Sequence, residues 1–235
     1  MPYSCPADRV LGPRIIVPLE QADANIDTWP TPATTQGLTR SAGQAGAGIA
    51  SGYQNKIMAL SSTIYRCVLQ ISDLDRGYYQ THSLTIARHP SETDERMMVR
   101  LLAFALNADE HLRFTRGISQ DDEPDLWRHS LSGDITLWVE IGQPDEKRIR
   151  RGCSRSDRVA IYCFQHRSAD VWWRQLAAKL ERFPHLSVFM LPEGISEQLA
   201  SFAERSMHLQ CTIQDGEIWF SNENASLQFT LERLR

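Results

Sequence analysis

The stretch "ITLWVEIGQPDEKRIRRGCSRSDRVAIYCF", Ile135 to Phe164, reads as a strand, a short basic helix and a second strand. In "ITLWVEI" the residues Ile135, Leu137, Val139 and Ile141 share one face, while Thr136, Trp138 and Glu140 share the other. That is the two-residue period of a strand with its more apolar face on a core. It leaves Glu140 beside Trp138 on the second face, as a solvated residue or a site residue. "RVAIYCF" is apolar almost throughout, the pattern of a strand buried on both faces. Between the strands, Pro144 begins a helix where its missing N–H costs nothing, and Asp145 and Glu146 complement the positive helix N-terminus. The expected helix spans Glu146–Gly152. The literal string PDEK, Pro144 to Lys147, is therefore a helix start rather than a catalytic signature.

Upstream, "STIYRCVLQISDLDRGYYQTHSLTIARH" holds two β-rich runs, Thr63–Ile71 and Thr81–Arg88, joined by an Asp/Gly turn as in an antiparallel hairpin. A helix follows, with Ser91 as cap, an acidic first turn and an apolar stripe at Met98, Leu101, Leu102, Ala105 and Leu106. Next come a strand-like Leu112–Thr115 and the acidic loop "SQDDEPD". Downstream, "SADVWWRQLAAKLERF" is an amphipathic helix with a Ser cap, "LSVFML" a strand and "PEGISEQLASFAER" a helix. The chain closes with a hairpin through Asp215-Gly216 and a third strand. The fold class is mixed α/β, a mixed sheet flanked by helices with antiparallel hairpins added.

Composition narrows the function. The 235 residues are 42% hydrophobic and carry a formal net charge of −4, so contact with a phosphate backbone requires a local basic patch. One exists: Lys147, Arg148, Arg150, Arg151, Arg155 and Arg158 are opposed within that span only by Asp157. Five cysteines without a CxxC pair, and histidines without HxH or HExxH spacing, argue against zinc and against a disulfide framework. There is no P-loop, GxGxxG or GxSxG, which removes nucleotide-cofactor and acyl-transfer enzymes. No signal peptide or membrane-spanning run is present, and a cytoplasmic protein is expected. Residues 1–57, rich in Gly, Ala, Ser, Thr and Pro, read as disordered or as an over-extended gene start, with Met58 opening a domain over 58–235.

A metal site for phosphodiester hydrolysis needs carboxylates converging on Mg²⁺ with a cation nearby. Glu92, Glu95, Glu123, Asp125 and Glu140 lie on three successive elements, with the basic run close behind. Arg113 and Arg116 in "LRFTRG" either pair with the acidic loop or bind phosphate. Trp172 and Trp173 are read as core packing with one ring near the surface, and His89 as a turn residue.

From Met58 onward the chain resembles the YaeQ family. The resemblance rests on "MAL" (58–60), "TIYR" (63–66), "DLDR" (73–76), "SLTIARHPSETDERMMxRLL" (83–102), "ADExLxFTRG" (108–117), "DDEP" (121–124), "WxExGxPDExRI" (138–149), "VWW" (171–173) and "TIQDGxIW" (212–219), with x left open. It implies a restriction-endonuclease-like core of the PD-(D/E)xK superfamily, and Met58 as the start. Residue by residue, it implies Glu95 or Glu92 as the first-helix acid, Pro124-Asp125 as the Pro-Asp, and Glu140 as the strand acid. Asp125 and Glu140 would then ligate Mg²⁺. Gly142 stands where the superfamily has its lysine, so Lys147, Arg148 or Gln143 must supply the missing polar group. Arg113, Arg116, Arg150, Arg151 and Arg155 become candidates for contact with DNA or RNA. The expected function is a metal-dependent nuclease or a nucleic-acid binder of this fold. The alternative is an inactive member serving as a protein-interaction or regulatory module, its acids and arginines in structural ion pairs.

Overall fold

The computed structural model describes residues 62–115 and 122–235. The expectations for residues 1–57, for Met58 and for Arg116 fall outside them. The expected first hairpin is present as β1 (Thr63–Asp73) and β2 (Tyr78–Arg88), in antiparallel register without a bulge. Helix α1 (Asp94–Leu106) follows, but its cap is Thr93, whose hydroxyl accepts from the Arg96 N–H at 3.2 Å. Ser91 instead bonds the His89 ring in the preceding turn. Strand β3 (Leu112–Phe114) pairs with β4 (Leu126–His129), an element with no clear period in the sequence.

Then come β5 (Ile135–Ile141), α2 (Glu146–Arg155), β6 (Val159–Cys163), α3 (His166–Leu180) and β7 (Leu186–Met190). Helix α2 runs three residues beyond the expected end. Pro144 lies just before its cap, Asp145, whose carboxylate accepts from the Arg148 N–H at 2.7 Å. Helix α3 starts three residues early, with no side-chain cap, and Ser168 bonds back to the Gln165 carbonyl within its first turn. Helix α4 is only Ile195–Ala200, entered through Gly194 at φ +82°. Strands β8 (Ser206–Gln214) and β9 (Glu217–Ser221) turn through Asp215 (φ +52°) and Gly216 (φ +76°), the left-handed pair that a two-residue hairpin needs. Strands β10 (Ser226–Thr230) and β11 (Glu232–Arg233) end the chain.

The strands form two mixed sheets, β10-β9-β8-β1-β2 and β11-β7-β6-β5-β4-β3. Their inner faces, together with α1 and α4, enclose one core, which holds Leu69, Ile86, Leu101, Leu137, Val139 and Phe220. The opposite face of the second sheet packs with α2 and α3 around Trp138, Ile149, Ile161 and Val188. The alternation in β5 is therefore as expected, but its second face is covered rather than solvated. Helix α1 also departs from the expected stripe: every residue from Met97 to Ala105 is buried. A helix buried all round must sit between layers rather than on a surface. Trp172 and Trp173 both pack on the second core, and Trp172 Nε1 donates to the Pro144 carbonyl at 2.8 Å.

Helix α2 rests on β5 through Gly152, where a Cβ would lie 3.0 Å from the fully buried Trp138 indole. The ring has nowhere to move. Gly152→Ala should lower stability by about 1–3 kcal/mol through overpacking, despite the better helix propensity of alanine, read as an earlier urea midpoint.

Candidate functional site

Of the carboxylates picked out in the sequence, Asp125 and Glu140 stand at the end of β5. Asp125 precedes β4, and its backbone N–H bonds the Val139 carbonyl at 2.9 Å. Its side chain, only 2% exposed, accepts from the Ile141 N–H at 2.8 Å. Glu140, also 2% exposed, accepts from Trp138 Nε1 at 2.7 Å and from Arg148 Nε at 2.8 Å. Arg148 reaches back from α2, the first turn after the strand, and its Nη2 donates to the Glu123 carbonyl at 2.6 Å. Of Lys147 and Arg148, it is Arg148 that reaches Glu140. Lys147 is exposed and turns outward with Arg150 and Arg151.

The partner of Asp125 was not legible in the sequence. Arg96 Nη2 lies 2.8 and 2.9 Å from its two oxygens, while Nη1 bonds Glu92 at 3.0 Å. Glu92 also binds Arg100 at 2.9 Å, and Arg100 is 1% exposed. Arg100, Glu92, Arg96 and Asp125 thus alternate in one chain of ion pairs, and Glu140 with Arg148 forms a second pair beside it. Arg96 and Arg100 sit at i and i+4 on α1, facing Glu92 at the helix entry. That spacing was a usable signal, hidden because arginine was not expected inside the core. Glu95, the other first-helix candidate, faces elsewhere: its carboxylate accepts from Ser196 Oγ at 3.3 Å and lines a groove with His166 and Glu197. Arg113 lies on β3, bonded to the carbonyls of Glu110 and Leu112, and takes no part in the cluster.

This donor set does not fit a divalent cation. Both Asp125 oxygens face a guanidinium, and so do those of Glu140, so the negative charge that Mg²⁺ requires is already neutralised. Among the described residues, no three His, Cys, Asp or Glu side chains are grouped to hold a metal. Among the described residues the thiols offer no alternative nucleophile, because burial pushes Cys67, Cys163 and Cys211 up to about 12 and Cys153 up to about 11.

Electrostatics acts unevenly on Glu140 and the two arginines of α1. Burial, reinforced by the charge of Asp125, lifts Glu140 to about 7, against the opposing pull of Arg148 and the Trp138 hydrogen bond. Burial works against the Arg96 charge too, but Asp125 and Glu92 outweigh it and raise its pKa. In Arg100 burial prevails and lowers it.

The sequence profile described as YaeQ protein matches residues 58–231. The chain belongs to the YaeQ family. It is 48% identical over 174 residues to the uncharacterized protein YaeQ of Salmonella typhi, covering 74% of this chain and 96% of that one. The Escherichia coli YaeQ is 47% identical over the same share. The crystal structure of YaeQ from Xanthomonas axonopodis pv. citri, 46% identical, superposes with a TM-score of 0.72 over 74% of this chain and 99% of that one. That from Pseudomonas syringae, 36% identical, gives 0.71. The mixed α/β architecture is the one these YaeQ structures have.

Gly142 can now be explained locally. It leaves β5 at φ +94°, a backbone region that side chains rarely adopt. A lysine there is strained whatever space it finds. Gly142→Lys should cost about 1–3 kcal/mol in urea unfolding and should not confer nuclease activity.

The raised pKa of Glu140 has a definite sign. Between its ordinary value, 4.5, and about 7, the folded protein holds a proton that the unfolded chain has released, so stability falls as pH rises through that window. Glu140→Gln removes this dependence. Its melting temperature relative to wild type should therefore climb between pH 5 and pH 8, on the order of a few kcal/mol in stability. A constant difference across that range would show that Glu140 titrates normally.

Proposed function

We propose that this YaeQ protein binds nucleic-acid backbone through the outward face of α2, and that the adjoining acid–arginine cluster is a structural network rather than a hydrolytic centre. The observation that carries this reading is the separation of two kinds of basic residue along one helix. Arg148 turns inward to Glu140. Lys147, Arg150 and Arg155 are exposed and make no ion pair among the described residues, and with Arg151, Arg182 and Phe183 they line one groove. Such a row on a chain of net charge −4 gives a local positive field facing a uniformly negative backbone.

The cations are not all equivalent. Arg151 is held by Asp122 at 2.7 Å, and Arg182 pairs with Glu146 at 3.4 Å while its guanidinium lies 4.8 Å from the Phe183 ring centroid. Both are therefore partly preordered at the margins of the groove. The superfamily resemblance implied Mg²⁺ at Asp125 and Glu140; the guanidiniums on those oxygens favour the nucleic-acid binder of this fold over the nuclease.

Fluorescence anisotropy with labelled single-stranded DNA and RNA tests the reading. Replacing Arg150 and Arg155 with alanine should weaken binding about tenfold or more and reduce the salt slope by about 0.7 for each phosphate that is no longer neutralised. Binding unchanged by the double substitution would overturn the assignment of the face. Mg²⁺ or Mn²⁺ should leave the melting temperature unaltered. A metal-dependent rise accompanied by cleavage would restore the hydrolytic reading.

A further inference from the structure

The groove along α2 is not lined by helix residues alone. Arg182 and Phe183, just beyond the end of α3, share it with Lys147, Arg150, Arg151 and Arg155. The Phe183 ring is fixed in place. It packs on the second core, and its N–H donates to the Leu180 carbonyl at 3.0 Å. Its carbonyl accepts from Arg235 Nη2 at 2.7 Å, and the His185 ring meets it edge-on, with centroids 6.5 Å apart. Over this ring lies the Arg182 guanidinium, its central carbon 4.8 Å from the centroid, on a side chain that is 53% exposed. One planar face of the guanidinium is turned to the ring, and the other is left to the groove. The ion pair with Glu146 does not use Arg182 up. Lys179 lies nearer to that carboxylate, at 3.1 Å against 3.4 Å, so two cations share one negative charge.

A row of cations by itself serves a duplex and a single strand alike, because both present phosphates. A planar cation seated on an aromatic ring adds a surface that only an unpaired base can use, since inside a duplex each base face is covered by its neighbour. We infer that the groove takes single-stranded nucleic acid, with one unpaired base packed on the Arg182 guanidinium over Phe183 and the flanking phosphates held by Lys147, Arg150 and Arg155. The inference rests on the nucleic-acid reading of α2 and adds to it the form of the ligand and the residue that selects it. Arginine is required at 182, because a lysine would supply the charge without the plane. The ring beneath holds that plane in position before the ligand arrives, so less ordering is left for binding to impose.

Fluorescence anisotropy on the full chain, with labelled oligo(dA), an abasic strand of the same length and a duplex of the same length, separates the charge from the plane. Wild type should bind oligo(dA) about tenfold more tightly than the duplex, although the duplex carries the denser charge. Arg182→Lys should weaken oligo(dA) binding about tenfold with the salt slope unchanged, and should leave the abasic strand within about twofold of wild type. Arg182→Ala should weaken both strands, since the charge goes with the plane. Arg182→Lys that binds oligo(dA) like wild type overturns the inference, and so does an equal loss on oligo(dA) and on the abasic strand. A duplex bound as tightly as oligo(dA) overturns it too. In each of these cases the α2 reading survives if replacing Arg150 and Arg155 still weakens binding. A wild-type chain that binds none of the three probes overturns both.

Discussion

Helix α1 lies between two sheets, and that burial constrains everything around it. Nine consecutive residues from Met97 to Ala105 are out of contact with solvent, so every polar group among them needs a partner in the protein. Arg100 has Glu92 and the Ala87 carbonyl, and its guanidinium lies 5.6 Å from the Phe114 ring centroid. Removing one member of such a pair typically costs about 3–5 kcal/mol, because the survivor is left charged in a poor solvent. Glu92 in turn holds Arg96, and Arg96 holds Asp125. The chain of pairs runs from the β2 end, through the helix entry, to the strands of the second sheet.

The chemistry of the carboxylates follows from that chain. Asp125 is fixed by the Ile141 N–H as well as by Arg96, which fastens the β4 end of the sheet to α1. Glu140 stands on the other face of β5, under α2, and answers to Arg148. The two acids feel each other strongly enough for Asp125 to raise the Glu140 pKa, yet each is served by an arginine from a different helix. A site assembled this way resists a divalent cation, since a guanidinium occupies the positions where metal–oxygen bonds would form. The same arrangement frees the outer face of α2, because only Ile149, Gly152 and Cys153 are needed for its packing. One helix can therefore close the acid cluster on its inner side and present a row of cations on its outer side.

Much of the architecture was legible in local pattern. The period of two in β1, β2 and β5, the apolar run of β6 and the Asp215-Gly216 turn are set by backbone geometry and turn chemistry that neighbouring residues determine. The alternation of Leu137, Val139 and Ile141 against Trp138 and Glu140 was read correctly. Its second face was not, because what covers a strand comes from elsewhere in the chain, here α2 and α3. The same limit explains β4 and β11, whose few residues carry no period and exist as strands only because β5 and β7 offer them an edge.

By itself the sequence determined the family, the α/β class and the identities of the acids and bases that meet. Tertiary structure decided which of them meet. Glu92 rather than Glu95 enters the cluster, because the turn capped by Thr93 aims Glu92 inward while Glu95 faces α4. Arg148 rather than Lys147 reaches Glu140, because the cap at Asp145 sets the phase of α2. Gly142 is glycine because the chain leaves β5 in a left-handed conformation. Spacing along a chain can bring charges to the same neighbourhood, but their pairing depends on helix phase and on how far each side chain is shielded from water.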